Sequence, residues 1–427
     1  MPLEIEHRGP RSATAASREC VTVGLLNNMP DAALEATEQQ FGALLALAAG
    51  PRSVRLRFSS LPELTRGAAA RARMDSVYWP LDELLSQRPD ALIVTGTEPR
   101  TAALEDEPYW DRLTRLIGWA ETHTASSIWS CLAAHAVAQA LHGVRRRRLA
   151  VKCFGVFEQR MAAELPLLQG LSAPLLTPHS RWNELPPAQL ESAGFDVLSA
   201  SDQSGADLFV HAGRSLLVCF QGHPEYERLT LLKEYRRDVG RFLGGEHAHW
   251  PTVPQGYFSP QGLEVLAAFR ARVGARREAA LLAEFPMAEL TAQIRADWRP
   301  AAVRIYRNWL SFVAAAKEST PRERLVRIKM RATMSMSEVG ANPTTARTPR
   351  ERLLSLVRQI LGAAAGNRPL PIDARLSDLG ISSIKMVGLM LAIEAEFNLA
   401  LPQDQITPEN FHSIASMEAM LERIAIP

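Results

Sequence analysis

A chain of 427 residues is too long for one simple core and predicts two or more domains. With 48 Lys and Arg against 46 Asp and Glu, the formal charge of +2 removes any global electrostatic case for nucleic acid or an anionic membrane as the main partner. No apolar run reaches the roughly 18 residues of a membrane helix, and the four cysteines lack the spacing of a metal site or a disulfide framework, so a cytoplasmic protein with reduced thiols and no metal is expected.

Residues 1–18 mix charge with small polar residues and read as a disordered tail, not a signal core. "CVTVGLLNNMP", "SVRLRFSSL" and "DALIVTGTEP" then read as strands closed by turn-forming residues. Helical patterns such as "ALEATEQQFGALLALAA" and "PYWDRLTRLIGWAETH" alternate with them, which predicts an α/β fold with a parallel sheet covered on both faces. "SSIWSC" fits a fourth strand, and "LAAHAVAQALHG" a helix closed by Gly143. "DLFVHAGRSLLVCFQGHPEYE" predicts a hairpin turning at "AGR", whose second strand delivers "GHPE" at its end; "TLLKEYRRDVGRFLG" follows as a helix. Residues 260–316 keep a helical period, 317–349 lose it and read as a linker, and 350–427 form a more acidic helical unit large enough to fold alone.

Cys131 stands where strand gives way to helix. A nucleophilic thiol needs a base and a positive field, and a helix N-terminus supplies part of that field. On local pattern two readings stand, a nucleophile on a strand-to-helix turn or a buried structural thiol. His223 in "GHPEYE" is a candidate base and Glu225 a candidate to orient its ring; a surface turn ended by Pro224 is the plain alternative. Cys219 lies inside an apolar strand and Cys153 precedes "FGVF", both expected to be buried, while Cys20 borders the tail. His123 and His142 sit near helix ends, and His135, one turn beyond Cys131, is expected to shape the pocket.

At these residues the chain resembles the homoserine O-succinyltransferase and O-acetyltransferase family, built on a class I glutamine-amidotransferase-like (flavodoxin-like) fold. The motifs that carry the likeness span residues 19–316: "LNNMPDAALEATEQQ", "VTGTEP", "KCFGVFEQR", "PHSRWNE", "GHPEYERLTLLKEYRRD" and "RNWLSF". The resemblance implies Cys131 as acyl-accepting nucleophile with His223 and Glu225 as partners, and Lys152, Ser180 and Arg237 as pocket residues. It also implies acyl-CoA and a hydroxy-amino acid as substrates, a homodimer, and a place in methionine or related biosynthesis. Two departures matter. Relatives carry lysines just after "NMP", one of them helping to stabilise the oxyanion, where this chain has Asp31 and Ala32. Arg100 in "TGTEPR" stands where relatives tune acetyl against succinyl, which favours succinyl or another dicarboxylic acyl group if the side chain faces the pocket and not solvent.

In the C-terminal unit, "DLGISSI" before "IKMVGLMLAIEAEF" resembles the acyl or peptidyl carrier motif, with Ser383 as the expected attachment point of 4'-phosphopantetheine and Ser382 in place of the usual acidic residue. Ser383 as a helix N-cap is the plain reading. A carrier implies a phosphopantetheinyl transferase and carrier-dependent enzymes as partners, and a linker of this length reaches about 30 Å as a flexible coil. The carrier then brings either the acyl donor or the acceptor. The "RRRR" run at 145–148 reads as a solvated basic loop, with coenzyme A phosphates or an acidic carrier face as the alternative. Two other functions fit less of the chain. A glutamine-hydrolysing amidotransferase shares the Cys-His-Glu logic but has glycines where this chain has Trp129 and Ala133. A non-catalytic carrier-docking scaffold needs no intact Cys131, His223 and Glu225.

Overall fold

The computed structural model describes residues 3–7, 20–161, 165–274, 276–317, 349–361 and 370–379, with a further set between 381 and 425. The chain divides into two compact units, residues 1–336 and 337–427. Among the described residues, one helix ends at Lys317 and the next begins at Pro349, so each takes one residue from the expected linker.

The first unit is built on ten strands: β1 (Leu3–Ile5), β2 (Val21–Leu26), β3 (Val54–Ser59), β4 (Ala91–Val94), β5 (Ser126–Ser130), β6 (Arg147–Met161), β7 (Leu175–Glu184), β8 (Asp196–Ser201), β9 (Gly205–Ala212) and β10 (Leu216–Phe220). They form one sheet in the order β1-β3-β2-β4-β5-β10-β9-β8-β6-β7. The run from β1 to β10 is parallel; β9, β8, β6 and β7 extend it antiparallel. The parallel half is the expected one. Within the antiparallel extension β8–β9 and β9–β10 are joined by short hairpins, which need no crossover helix, while β6 meets β8 as a non-consecutive neighbour.

Successive residues of the central strands point to opposite faces. Ile93, Ile128 and Val218 pack with the helices Asp31–Ala49 and Arg299–Lys317 on one side. Leu92, Val94, Trp129, Leu217 and Cys219 pack with the helices Trp110–His123 and Leu132–His142 on the other. Both faces are therefore covered, and the strands read as continuous apolar runs. A third cluster joins Phe154 and Val156 of β6 to the helices Thr230–Leu243 and Pro260–Val273.

The expected tail over residues 1–18 needs correction at its start. Leu3–Ile5 pairs in parallel with β3, in the register Leu3↔Val54, Glu4↔Arg55, Ile5↔Leu56. Charge complementarity explains the pairing. Arg55 donates to Glu4 and Arg57 to Glu6 at 3.0 Å, and Trp79 donates its indole N–H to the Glu6 carbonyl. Residues 8–19 lie outside the described residues.

In the second unit the helices Pro349–Leu361 and Ile414–Ala425 pack together around Leu353, Val357, Ile414, Met417 and Met420, with Leu376, Leu389 and Ile393 completing the core. Ser383 lies outside the described residues. No helix among the described residues is long and apolar enough to cross a membrane.

Candidate active site

β5 and β10 are neighbouring parallel strands, with Ser130 opposite Phe220, so both chains leave the sheet at the same level and edge. Sites of open α/β sheets lie beyond those carboxyl ends. Cys131 follows Ser130 directly and caps the Leu132–His142 helix with φ 53° and ψ −113°, a backbone region that L-residues rarely adopt. Such a conformation costs on the order of 1–3 kcal/mol and persists only where its surroundings over-determine it. Here they do. The Cys131 N–H donates to the Phe220 carbonyl at 2.7 Å, and its own carbonyl accepts from His135 N–H at 3.2 Å.

The "TGTEP" loop closes on this turn. A Cβ added to Gly96 would stand 3.0 Å from the Leu132 nitrogen and 3.3 Å from the Ser130 carbonyl oxygen. The Leu132 N–H, first of its helix, has no intrahelical acceptor, so the turn offers a donor beside the sulfur.

Beyond β10 the chain runs Gln221, Gly222, His223, Pro224, Glu225. Gly222 is required there, since a Cβ would come within 2.6 Å of Asp207 Oδ1 and Thr177 Cγ2. Its N–H donates to Asp207, and the His223 N–H donates to the Pro178 carbonyl at 2.8 Å. The loop thereby buries His223, 6 % exposed, with Nδ1 2.8 Å from Oε1 of Glu225. Burial alone would lower the imidazole pKa. The Glu225 carboxylate first, with the Cys131 sulfur adding to it, reverses that and raises it well above the ordinary histidine value. The structure brings His223 and Glu225 into contact, with Cys131 close enough to act on the imidazole. Tyr226 stacks on the imidazole, ring centroids 4.3 Å apart, and Arg299 donates to the Glu225 carbonyl.

Lys152, Ser180 and Arg237 also come together, around two carboxylates absent from the sequence reading. Glu234 and Asp238 stand one turn apart on the Thr230–Leu243 helix. Glu234 accepts from Ser180 Oγ at 2.5 Å and from the Tyr226 hydroxyl at 2.7 Å. Asp238 accepts from Lys152 Nζ at 3.1 Å and pairs with Arg237 at 2.8 Å. Burial opposes ionisation of Asp238, yet Lys152 and Arg237 hold its carboxyl below the ordinary value. Through Tyr226 this cluster touches the His223 ring. Spacing marks Glu234 and Asp238 as sharing a helix face with each other, but without the strand partners it says nothing of their use.

Arg100 is exposed, and its backbone N–H donates to Glu107 at 2.7 Å. Asp31, in the place of the lysine, accepts from Gly67 N–H at 2.7 Å and pairs with Arg66 at 3.2 Å, tying the loop after β2 to its neighbour. Cys219 is buried as expected and Cys20, beside the expected tail, is buried as well; Cys153 is only half-buried, though burial raises its pKa. His135 is 2 % exposed and faces Gln221 in the core, so it does not shape the pocket's surface.

The family model described as homoserine O-succinyltransferase matches residues 5–320, and a phosphopantetheine attachment site model matches residues 351–421. A homoserine O-succinyltransferase of Rhodopseudomonas palustris is 43% identical over 314 residues, 74% of this chain and 94% of the relative. One from Methylorubrum extorquens is 44% identical over 292 residues, covering 68% and 87%. Among solved structures, a glutamine amidotransferase from Thermotoga maritima aligns at a TM-score of 0.37 and 12% identity, over 70% of this chain and 99% of its own.

Proposed function

The chain belongs to the homoserine O-succinyltransferase family, and from that premise we propose that Cys131 takes an acyl group from a thioester and passes it to the hydroxyl of homoserine or a related hydroxy-amino acid. The family makes the chain an O-acyltransferase. One observation carries the covalent route: a strained cysteine at a helix N-terminus shares an imidazole with a buried carboxylate.

In the first step the Cys131 sulfur attacks the thioester carbonyl. A new C–S bond forms, the bond to the donor sulfur breaks, and the leaving thiolate takes its proton from His223. In the second, His223 accepts the proton of the acceptor hydroxyl, whose oxygen attacks the acyl carbon and displaces Cys131. The ester departs with the enzyme groups restored. The change of step also retunes the base, because acylation removes the sulfur's contribution and lowers the imidazole pKa, while Glu225 still holds it up against burial. The Leu132 N–H faces the developing oxyanion.

An amino acid needs an anion for its ammonium and a cation for its carboxylate. Glu234, already the acceptor of Ser180 and Tyr226, suits the first; Arg237 and Lys152 suit the second. The second unit carries phosphopantetheine attachment, which we assign to Ser383; when bound, that arm supplies a thiol able to hold an acyl group as a thioester. Donor thioesters are thus an acyl-CoA or an acylated carrier.

Intact-protein mass spectrometry tests the reading. Wild type incubated with succinyl-CoA gains one succinyl group, Cys131→Ala gains none, and homoserine discharges the adduct to O-succinyl homoserine. A wild type that turns over without ever carrying the group on Cys131 refutes the covalent route.

A further inference from the structure

The four arginines at 145–148 do not behave alike. Arg145 pairs with Glu105 at 2.6 Å and Arg147 with Glu184 at 2.5 Å, with side chains 72% and 67% exposed. Arg148 lies over the exposed Trp182 ring at 4.7 Å. These three account for the basic surface that the run predicts.

Arg146 turns inward. Its Nη2 donates to the carbonyl oxygens of Ala102 at 3.2 Å and Thr101 at 3.4 Å, while its Nε is buried without a hydrogen-bond partner. No carboxylate among the described residues lies within ion-pair distance of it. Burial acts on it most, and the charged or ionisable groups that act on it are Tyr109, Glu107 and Cys131, which favour its charge, and Arg148, which opposes it. The guanidinium is only half-buried, but its Nε is sealed without a hydrogen-bond partner, and the one carboxylate acting on it, Glu107, makes no ion pair with it. An open buried donor within electrostatic reach of the nucleophile is costly unless something completes it.

Its surroundings are rigid. Glu107, 3% exposed, spends Oε1 on the backbone N–H groups of Arg100 at 2.7 Å and Thr101 at 2.9 Å, which fixes the loop whose carbonyls hold Arg146. The Tyr109 hydroxyl, buried beside Glu107, feels both Arg146 and Arg100. Arg146 is thus held by this loop at an intermediate depth, whereas Arg100 is exposed.

Resting on the covalent route above, we infer that Arg146 receives the free carboxylate of a dicarboxylic acyl group carried at Cys131, and so selects such acyl groups over acetyl. A carboxylate offers two oxygens in the plane of the guanidinium edge and satisfies the open Nε. An acetyl group has nothing to place there. The deeper arginine, not the exposed Arg100, then makes the choice.

The test uses the full-length chain with succinyl-CoA and acetyl-CoA at matched concentrations, following the Cys131 adduct by intact mass in wild type, Arg146→Met and Arg146→Lys. Arg146→Met loses the succinyl rate by about 10- to 100-fold, as expected for removing a charge-assisted hydrogen bond. Its acetyl rate, which also reports correct folding, stays near wild type, and Arg146→Lys recovers part of the loss. Independently, free succinate protects wild-type Cys131 from iodoacetamide and does not protect Arg146→Met. Parallel loss of both donors makes Arg146 a support for the turn and overturns the inference, as does an unchanged succinyl preference. A wild type acylated by neither donor overturns the covalent route and this assignment with it; a wild type acylated equally by both overturns the assignment alone.

Discussion

Oε1 of Glu225 lies 2.8 Å from Nδ1 of His223 and also accepts, at 3.4 Å, from Oγ of Ser130, the residue before the nucleophile. One buried carboxylate thus references both arms of the site, the end of β5 and the loop after β10. It keeps the proton on Nδ1 and leaves Nε2 for the Cys131 sulfur.

Glu225→Gln tests that tautomer control. An amide nitrogen facing Nδ1 makes that atom an acceptor and moves the ring proton to Nε2, where the base must be free. The expected loss in kcat is about 10²- to 10⁴-fold, with KM for the donor little changed. Thiol release from succinyl-CoA measures it, and near-wild-type turnover would show that the carboxylate is only a packing group.

Anions hold the His223 pKa up against burial, so removing an anion lowers it. In Cys131→Ala the sulfur's contribution goes and the Glu225 contribution stays; in Cys131→Ala/Glu225→Gln both go, leaving burial unopposed. Imidazole NMR titrations should therefore step downward from wild type to single to double variant, the last below the ordinary value of about 6.5. Curves that coincide would mean that Cys131 and His223 do not share a proton.

The central strands and the turn at Cys131 were legible because apolar runs end abruptly at Ser130 and Phe220, and parallel strands that end together bring their next residues together. β1 was not legible. Its three residues gain a strand only through arginines on β3, a pairing invisible from local composition. The same holds for Glu234, whose partners Ser180 and Tyr226 come from different segments, and for Arg146, which sits among identical neighbours and is distinguished only by where the chain turns. Sequence locates groups that lie at the ends of regular elements; it does not tell which of several like charges faces inward.

Gly96→Ala probes the loop that closes on the nucleophile. The added methyl meets backbone atoms on both sides of Cys131, at 3.0 Å from the Leu132 nitrogen and 3.3 Å from the Ser130 oxygen, so it cannot be relieved by a side-chain rotation. Overpacking of this kind costs about 1–3 kcal/mol. Because the displaced atoms frame the oxyanion donor, kcat for acyl transfer should fall by at least about 10²-fold while the variant remains folded at 25 °C. Full activity would place the oxyanion elsewhere.

His135 offers a test of the buried polar layer beneath the site through pH. Burial first, with Arg181 and Arg146 adding, pulls its pKa down to about 3. In the unfolded chain the same ring titrates near 6.5. Between those values the unfolded state binds the extra proton, so folding stability falls as pH drops, by about 1.4 kcal/mol per pH unit where the difference is a full proton. His135→Gln removes the titration and keeps a donor for Gln221, which His135 Nε2 meets at 3.1 Å. All eight tryptophans lie between residues 79 and 309, so denaturation followed by tryptophan fluorescence reports the first unit alone. Between pH 6 and pH 4 the variant's stability should decline less steeply than wild type by about that slope, with the buried His179 still contributing its own share in both proteins. Equal slopes would mean that the folded protein admits a proton to His135, contrary to its sealed position against Gln221.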